Sequence, residues 1–324
     1  MILPGKKPGE DDRPIKKDAD GRPYVDNADG IVTRPGNDGK WNTEDDEKWY
    51  IGEDKKPGTK DDKPVKQDEN GKEYVDNEDG TVTRPGSDGK WDTEDDEKWY
   101  IGEDKKPGTK DDKPVKKDEN GKEYVDNGDG TVTRPGEDGK WNTEDDEKWY
   151  IGEDKKPGTK DDKPVKKDEN GNEYTENGDG TILRPGEDGK WNTKDDEIWY
   201  IGPDQKPGTA DDKPVKKDEN GNPYVENGDG SILRPGDDNQ WGTNDDEKWY
   251  TGEDKKPGTA DDRPIRKDDS GNEYVENSDG STTSPGKDGI WGTDDDETTG
   301  GNHTGGNGSG SAGGSGSGGS GLSF

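Results

Sequence analysis

Apolar residues are sparse along this chain and return on a fixed beat. Trp41, Trp91, Trp141, Trp191, Trp241 and Trp291 each stand fifty residues beyond the last, and Tyr24 returns as Tyr74, Tyr124, Tyr174, Tyr224 and Tyr274. No insertion or deletion breaks the period, so the chain reads as a tandem array before any local motif is considered. The array divides into a degenerate first repeat at 1–50, repeats at 51–100, 101–150, 151–200 and 201–250, and a last repeat at 251–299.

Within the repeat from Ile101 to Tyr150 the apolar positions are Ile101, Val115, Tyr124, Val125, Val132, Trp141, Trp149 and Tyr150. That is material for one miniature core. Two short extended runs flank Glu119-Asn120-Gly121, a hairpin signal because Asn and Gly tolerate positive φ. A second turn, Asp126-Asn127-Gly128-Asp129-Gly130, leads into Thr131-Val132-Thr133, and the pattern predicts a three-stranded meander ended by Arg134-Pro135-Gly136. No stretch places apolar residues at helical spacing, and the Gly and Pro density interrupts anything longer than a turn. The expected class is therefore all-β: a linear tandem array of six small β-meander/loop units of fifty residues. The first unit is degenerate around Leu3 to Asp12, and the last loses its terminal Trp-Tyr at Thr298-Thr299. Residues 300–324 turn to Gly and Ser without apolar periodicity, which predicts a flexible or disordered tail.

Composition sharpens this picture. Only 18% of residues are hydrophobic, too few for a single large core, so order has to come from local cores, bound ions, stacking of neighbours or outside partners. Acidic residues number 83 against 49 basic, a net charge of −34, which repels nucleic acid and anionic lipid and sets nucleic-acid binding aside. There is no cysteine for disulfides or thiolate sites, and His303 is the only histidine, so no His-dependent triad or His-rich metal site can be assembled. No apolar run has the length of a membrane helix, and the start, Met1-Ile2-Leu3-Pro4-Gly5-Lys6, lacks a signal-peptide pattern. The sequons at Asn302 and Asn307 read as coincidence in a Gly/Ser-rich segment.

One local frame carries the chemistry: Gly-x-Asp-x-x-x-x-Thr-x-Asp-Asp, present eleven times, twice in most repeats. Its aspartates are Asp38, Asp45 and Asp46; Asp54, Asp61 and Asp62; Asp88, Asp95 and Asp96; Asp104, Asp111 and Asp112; Asp138, Asp145 and Asp146; and Asp154, Asp161 and Asp162. The series continues with Asp188, Asp195 and Asp196; Asp204, Asp211 and Asp212; Asp238, Asp245 and Asp246; Asp254, Asp261 and Asp262; and Asp288, Asp295 and Asp296. Three carboxylates within nine residues repel one another unless a cation sits between them, and Gly and Pro let the chain bend so that they converge. Calcium, which takes six to eight oxygen ligands in flexible geometry, suits such loops better than magnesium. The competing reading is an acidic turn in which Asp and Thr cap backbone N–H groups. The pattern is not an EF-hand, since the distal Glu is missing, and short loops without it imply low calcium affinity.

These Asp loops, alternating with Asp-x-x-Gly hairpins over residues 1–299, resemble the Asp/Gly-rich tandem repeats of large surface proteins of Gram-positive bacteria. The resemblance implies an extracellular or cell-surface location and a stalk or matrix role, stiffened by calcium. The Gly-x-Trp spacing and the Trp-Tyr pair resemble, more weakly, choline-binding and glucan-binding repeats. Every chemistry-bearing residue recurs in near-identical copies, whereas an enzyme needs one asymmetric enclosed site, so catalysis is not expected. The leading expectation is a calcium-stiffened structural rod acting as a stalk or as a fibre built with other copies of itself. Two readings stand beside it: a multivalent adhesin for cell-wall or host glycans using Trp and Tyr, and a disordered acidic, ion-binding matrix protein.

Overall fold

A computed structural model describes residues 13–300, and these contain no helix. The degenerate Leu3–Asp12 stretch, the Gly/Ser-rich tail from 301 onward, both sequons and His303 lie outside the described residues. The chain falls into two compact units divided between Asp212 and Lys213.

The repeat from Ile101 to Tyr150 shows how the strands arise. Strand Lys113–Lys117 turns at Asp118, whose Oδ1 accepts the backbone N–H groups of Asn120 (2.8 Å) and Lys122 (3.0 Å), while Gly121 takes a φ of +77° that a side chain would resist. Strand Glu123–Asp126 follows, with Val125 opposite Val115. The next turn is held by Asp129, which accepts the N–H of Thr131 (2.9 Å) and its hydroxyl, and by Asn127, whose amide donates to the hydroxyls of Thr131 and Thr133 (both 3.0 Å). Strand Thr131–Arg134 then pairs with a fourth strand, Glu147–Tyr150, placing Val132 opposite Trp149 and Arg134 opposite Glu147.

This fourth strand corrects the expected three-stranded meander. Arg134-Pro135-Gly136 does not end the sheet; it opens a loop that returns as Glu147–Tyr150. Nor does the sheet stop at the end of a repeat, because Trp149 and Tyr150 pair with Pro164 and Lys163 of the next. Thirteen strands from Ile15–Lys17 to Lys163–Pro164 form one antiparallel sheet in sequence order. Strands Lys166–Lys167, Glu173–Glu176, Thr181–Arg184 and Glu197–Tyr200 repeat the pattern in the first compact unit. In the second unit, a five-stranded sheet from Lys216–Lys217 to Arg263–Pro264 and a four-stranded sheet from Arg266–Lys267 to Glu297–Gly300 do the same. In the last repeat the register sets Thr282 opposite Thr299 and Ser281 opposite Gly300, so the lost Trp-Tyr falls at Thr299-Gly300, one residue later than the sequence suggested.

The core is thin and shared between repeats. Ile31 of the first repeat packs with Val75 and Trp91 of the second, with Tyr50 and Val65 at the margin. Val25, Val75, Val125, Val225 and Val275 occupy one fully buried position, each worth about 1.5–3 kcal/mol of apolar burial. Thr175 stands there in the fourth repeat, its hydroxyl buried without a hydrogen-bond partner among the described residues.

Candidate functional sites in the aspartate loops and the repeat joints

Each aspartate loop closes on itself. In the loop from Gly136 to Asp146, Asp138 Oδ1 accepts the N–H of Lys140 (2.7 Å), Asp145 Oδ2 that of Asp138 (3.1 Å), and Asp146 Oδ2 that of Asn142 (2.9 Å). The Thr143 hydroxyl donates to Asp145 Oδ1 at 2.7 Å and lies 3.4 Å from Asp146 Oδ1. The loop from Gly152 to Asp162 repeats this with Lys156, Asp154, Gly158 and Thr159 as donors. The same bonds recur in all eleven loops, from Asp38, Asp45 and Asp46 to Asp288, Asp295 and Asp296. Glycine is required where the loop folds back: a Cβ on Gly136 would strike the Asp145 backbone carbonyl and carboxylate, and one on Gly152, at a φ of +65°, would strike the Asp161 carboxylate.

In five of the loops the two adjacent aspartates are shifted in opposite directions. The Thr143 hydroxyl first, then the Asp138 N–H, holds the Asp145 carboxyl below its ordinary value. At the matching position Asp95 is brought down to about 2, the Thr93 hydroxyl again leading. Asp146 is pushed up, mainly by burial, with the charge of Asp145 adding to it. Asp96, Asp112, Asp162 and Asp246 are raised by burial in the same way.

Around the threonine hydroxyl, oxygens are crowded. Thr59 Oγ1 lies near Asp54 Oδ1 (3.4 Å), Asp61 Oδ1 (2.5 Å), Asp62 Oδ1 (3.4 Å) and the Lys56 carbonyl (3.0 Å), with one proton to share among four acceptors. Carboxylate, carbonyl and hydroxyl oxygens are the hard donors that calcium takes. Their present arrangement is that of a hydrogen-bonded turn: among the described residues no three acidic, imidazole or thiol side chains gather as a metal-ligand group.

Repeats are joined through these loops. The backbone N–H of Trp141 donates to the carbonyl of Asp79 in the preceding repeat (2.7 Å), its ring packs on Tyr100 at 5.5 Å, and the side chain is buried. Gly80 allows this, since a Cβ there would collide with the Trp141 backbone. Tyr150, packed on Trp191 at 5.3 Å, donates its hydroxyl to Asn192 Oδ1 (2.8 Å), and burial first, then nearby carboxylates, pushes that hydroxyl to about 12. Trp149 differs from Trp141: it is half-buried, donates Nε1 to Glu147 (2.9 Å), and lies under the Arg134 guanidinium at 5.5 Å.

The second loop is tied down by charge. Arg134 Nη2 bridges Asp118 (3.1 Å), whose side chain is fully buried, and Asp162 of the next repeat (3.4 Å). Arg34, Arg84 and Arg184 make the same bridge in the first compact unit, and Arg234 makes it in the second. Lys148 spans Asp129 (3.1 Å) and Glu173 of the next repeat (2.7 Å). Burial opposes its charge, but the two carboxylates outweigh that and raise its pKa. Asn120 adds a bond from its amide to the Gly158 carbonyl (2.9 Å). The residues at positions 118, 129 and 134 carry the joints, yet in sequence they look like ordinary turn residues; the signal that could have marked them is the exact return of an Arg sixteen residues after an Asp.

Comparison with models of known protein families and with curated proteins finds no match for this chain. No helix among the described residues is long and apolar enough to cross a membrane.

Proposed function

We propose that the chain is a non-catalytic structural protein of the cell exterior, a repeat spacer whose reach is set by copy number and which serves as a stalk or as a unit of a fibre. The observation that carries this reading is the joint: within each compact unit, strand pairing, Trp docking and an Arg bridge link one repeat to the next in the same way. Selection for one asymmetric pocket would leave one repeat different at its centre, whereas these repeats keep the residues that hold neighbours together. The extracellular placement rests on the resemblance to Gram-positive surface repeats and on the acidic composition, and protease shaving of intact source cells tests it. Inserting one further fifty-residue cassette into the full chain should lengthen the particle by a constant increment in small-angle scattering without lowering its unfolding midpoint. Absence of the increment would remove the spacer reading.

Calcium belongs to the same proposal as an added ligand, held by loop oxygens such as those of Asp54, Asp61, Asp62, Thr59 and Lys56. The crowding of four acceptors around one hydroxyl proton supports it. Bound there, a divalent cation would neutralise neighbouring carboxylates. Thermal unfolding of the full chain in EDTA, millimolar calcium and millimolar magnesium decides: a calcium-specific rise in midpoint supports the proposal, and identical curves remove calcium. A glycan-binding role is favoured by one feature, the open cleft of about 440 Å³ where half-buried Trp249 meets Pro223, Pro235 and Arg234. Sugar-dependent change in tryptophan emission would bring that reading forward.

A further inference from the structure

The fifth repeat holds its successor through five side chains. Asn220 donates its amide to the Gly258 carbonyl (2.8 Å), Arg234 reaches Asp262 (3.6 Å), and Lys248 binds Glu273 (2.6 Å). Trp249 sits opposite Pro264 in the ladder, and the Tyr250 ring packs against Trp291 at 5.3 Å. Every partner belongs to the sixth repeat. Fifty residues on, the same five positions of the sixth repeat read Ser270, Ser284, Thr298, Thr299 and Gly300.

The loss is one-sided. Gly258, Asp262, Glu273 and Trp291, with which the sixth repeat holds the fifth, keep the residue types found in earlier repeats. Of its other departures, Asp269, Ser278 and Ile290 lie on exposed positions, while Thr251 is buried where earlier repeats have Ile and Thr282 is half-buried where Val132 and Ile232 are buried. What replaces the forward-reaching set is short and polar: Thr282 and Thr299 share a hydroxyl contact at 3.2 Å, Thr283 and Thr298 one at 3.0 Å. Strand Glu297–Gly300 is exposed throughout, and Asp268 is exposed where the Asp218 side chain is fully buried. A four-residue edge without apolar or guanidinium anchors is a poor template for further pairing.

We propose that the sixth repeat is a terminal cap, whose forward face is built not to receive another repeat and so bars a second copy from adding its first repeat there. The proposal goes beyond the spacer reading and holds wherever the chain resides; within that reading it favours a stalk, or a fibre joined by other surfaces. The first repeat retains Trp41, half-buried where Trp91, Trp141, Trp191, Trp241 and Trp291 are buried, so the complementary backward-facing anchor is present on each copy.

The test restores the five anchors in the full chain, as Ser270→Asn, Ser284→Arg, Thr298→Lys, Thr299→Trp and Gly300→Tyr, and follows mass by sedimentation velocity up to millimolar protein. Wild type is expected to stay monomeric, and the restored chain to form dimers or longer species that revert to monomer when Trp41→Ala is added. Far-UV circular dichroism checks folding, and a milder Ser284→Arg/Thr299→Trp chain serves if the fivefold variant misfolds. Two results overturn the cap: wild-type self-association abolished by Trp41→Ala, or a folded restored chain that remains monomeric at the highest concentration.

Discussion

Two successive aspartate loops, 136–146 and 152–162, share the bonds of their carboxylates to backbone N–H groups and to the threonine hydroxyl, and differ in what they reach. The first carries Trp141, which buries its ring against the preceding repeat. The second carries Gly158 and Asp162, which meet Asn120 and Arg134 of the preceding repeat through polar bonds. One turn chemistry thus supplies two joints, one apolar and one ionic, and the local frame does not determine which. The frame fixes a backbone shape; the residue it displays decides the work.

Deleting the anchors separates the two joints most sharply. Trp141→Ala should cost about 3–5 kcal/mol, the range for losing a buried aromatic ring, read as a lower urea midpoint and faster amide exchange at 79–80. Arg134→Ala should cost on the order of 3 kcal/mol, because it strands the fully buried Asp118 charge; loss of less than a tenth of that would show the bridge to be incidental. Gly152→Ala, at positive φ and against Asp161, should cost about 1–3 kcal/mol, whereas Gly139→Ala meets nothing and bears only its φ penalty. Thr175→Val, outside both loops, should raise stability by about 1 kcal/mol by removing a buried unpartnered hydroxyl, and any destabilisation would show that the hydroxyl has a partner in solution.

The smallest effects are in titration. A carboxylate held low, such as Asp95, contributes stability that is complete above the unfolded value of 3.8 and lost as pH falls towards about 2. Asp96, held high by burial, has the opposite sign: its charge costs stability above its folded pKa, and acid relieves the cost. Carboxyl-carbon NMR should find the two neighbours shifted in opposite directions. Arg134→Gln should move Asp162 further up, since the guanidinium opposes its burial, and leave Asp146 unmoved.

Much of the local fold was legible in the sequence. Asn120-Gly121 and Gly128-Asp129-Gly130 announced both hairpins, and the sparse apolar positions announced a thin core in an all-β repeat. Glu147–Tyr150 was missed as a strand because it is four residues long, half charged, and paired with Thr131–Arg134 across a loop of twelve residues. The loop carboxylates were recognised as a set, but spacing alone says nothing of whether they turn towards a shared ion or towards their own backbone N–H groups. Least visible was Arg134, which reads as the end of a strand until its two carboxylate partners, sixteen residues back and twenty-eight ahead, are brought beside it.

The sequential ladder has a mechanical consequence. In the thirteen-stranded sheet each strand pairs through its backbone only with its neighbours in sequence, so tension along that ladder would peel the outermost strand and open backbone bonds one after another instead of shearing many at once. Each fifty-residue repeat that gives way would release on the order of 170 Å of slack, at about 3.4 Å per extended residue, and its short-range pairings would let it rewind quickly once the load fell. A ladder of this kind would yield to a pull in steps and recover, dissipating load that a sheet sheared all at once would resist and then lose.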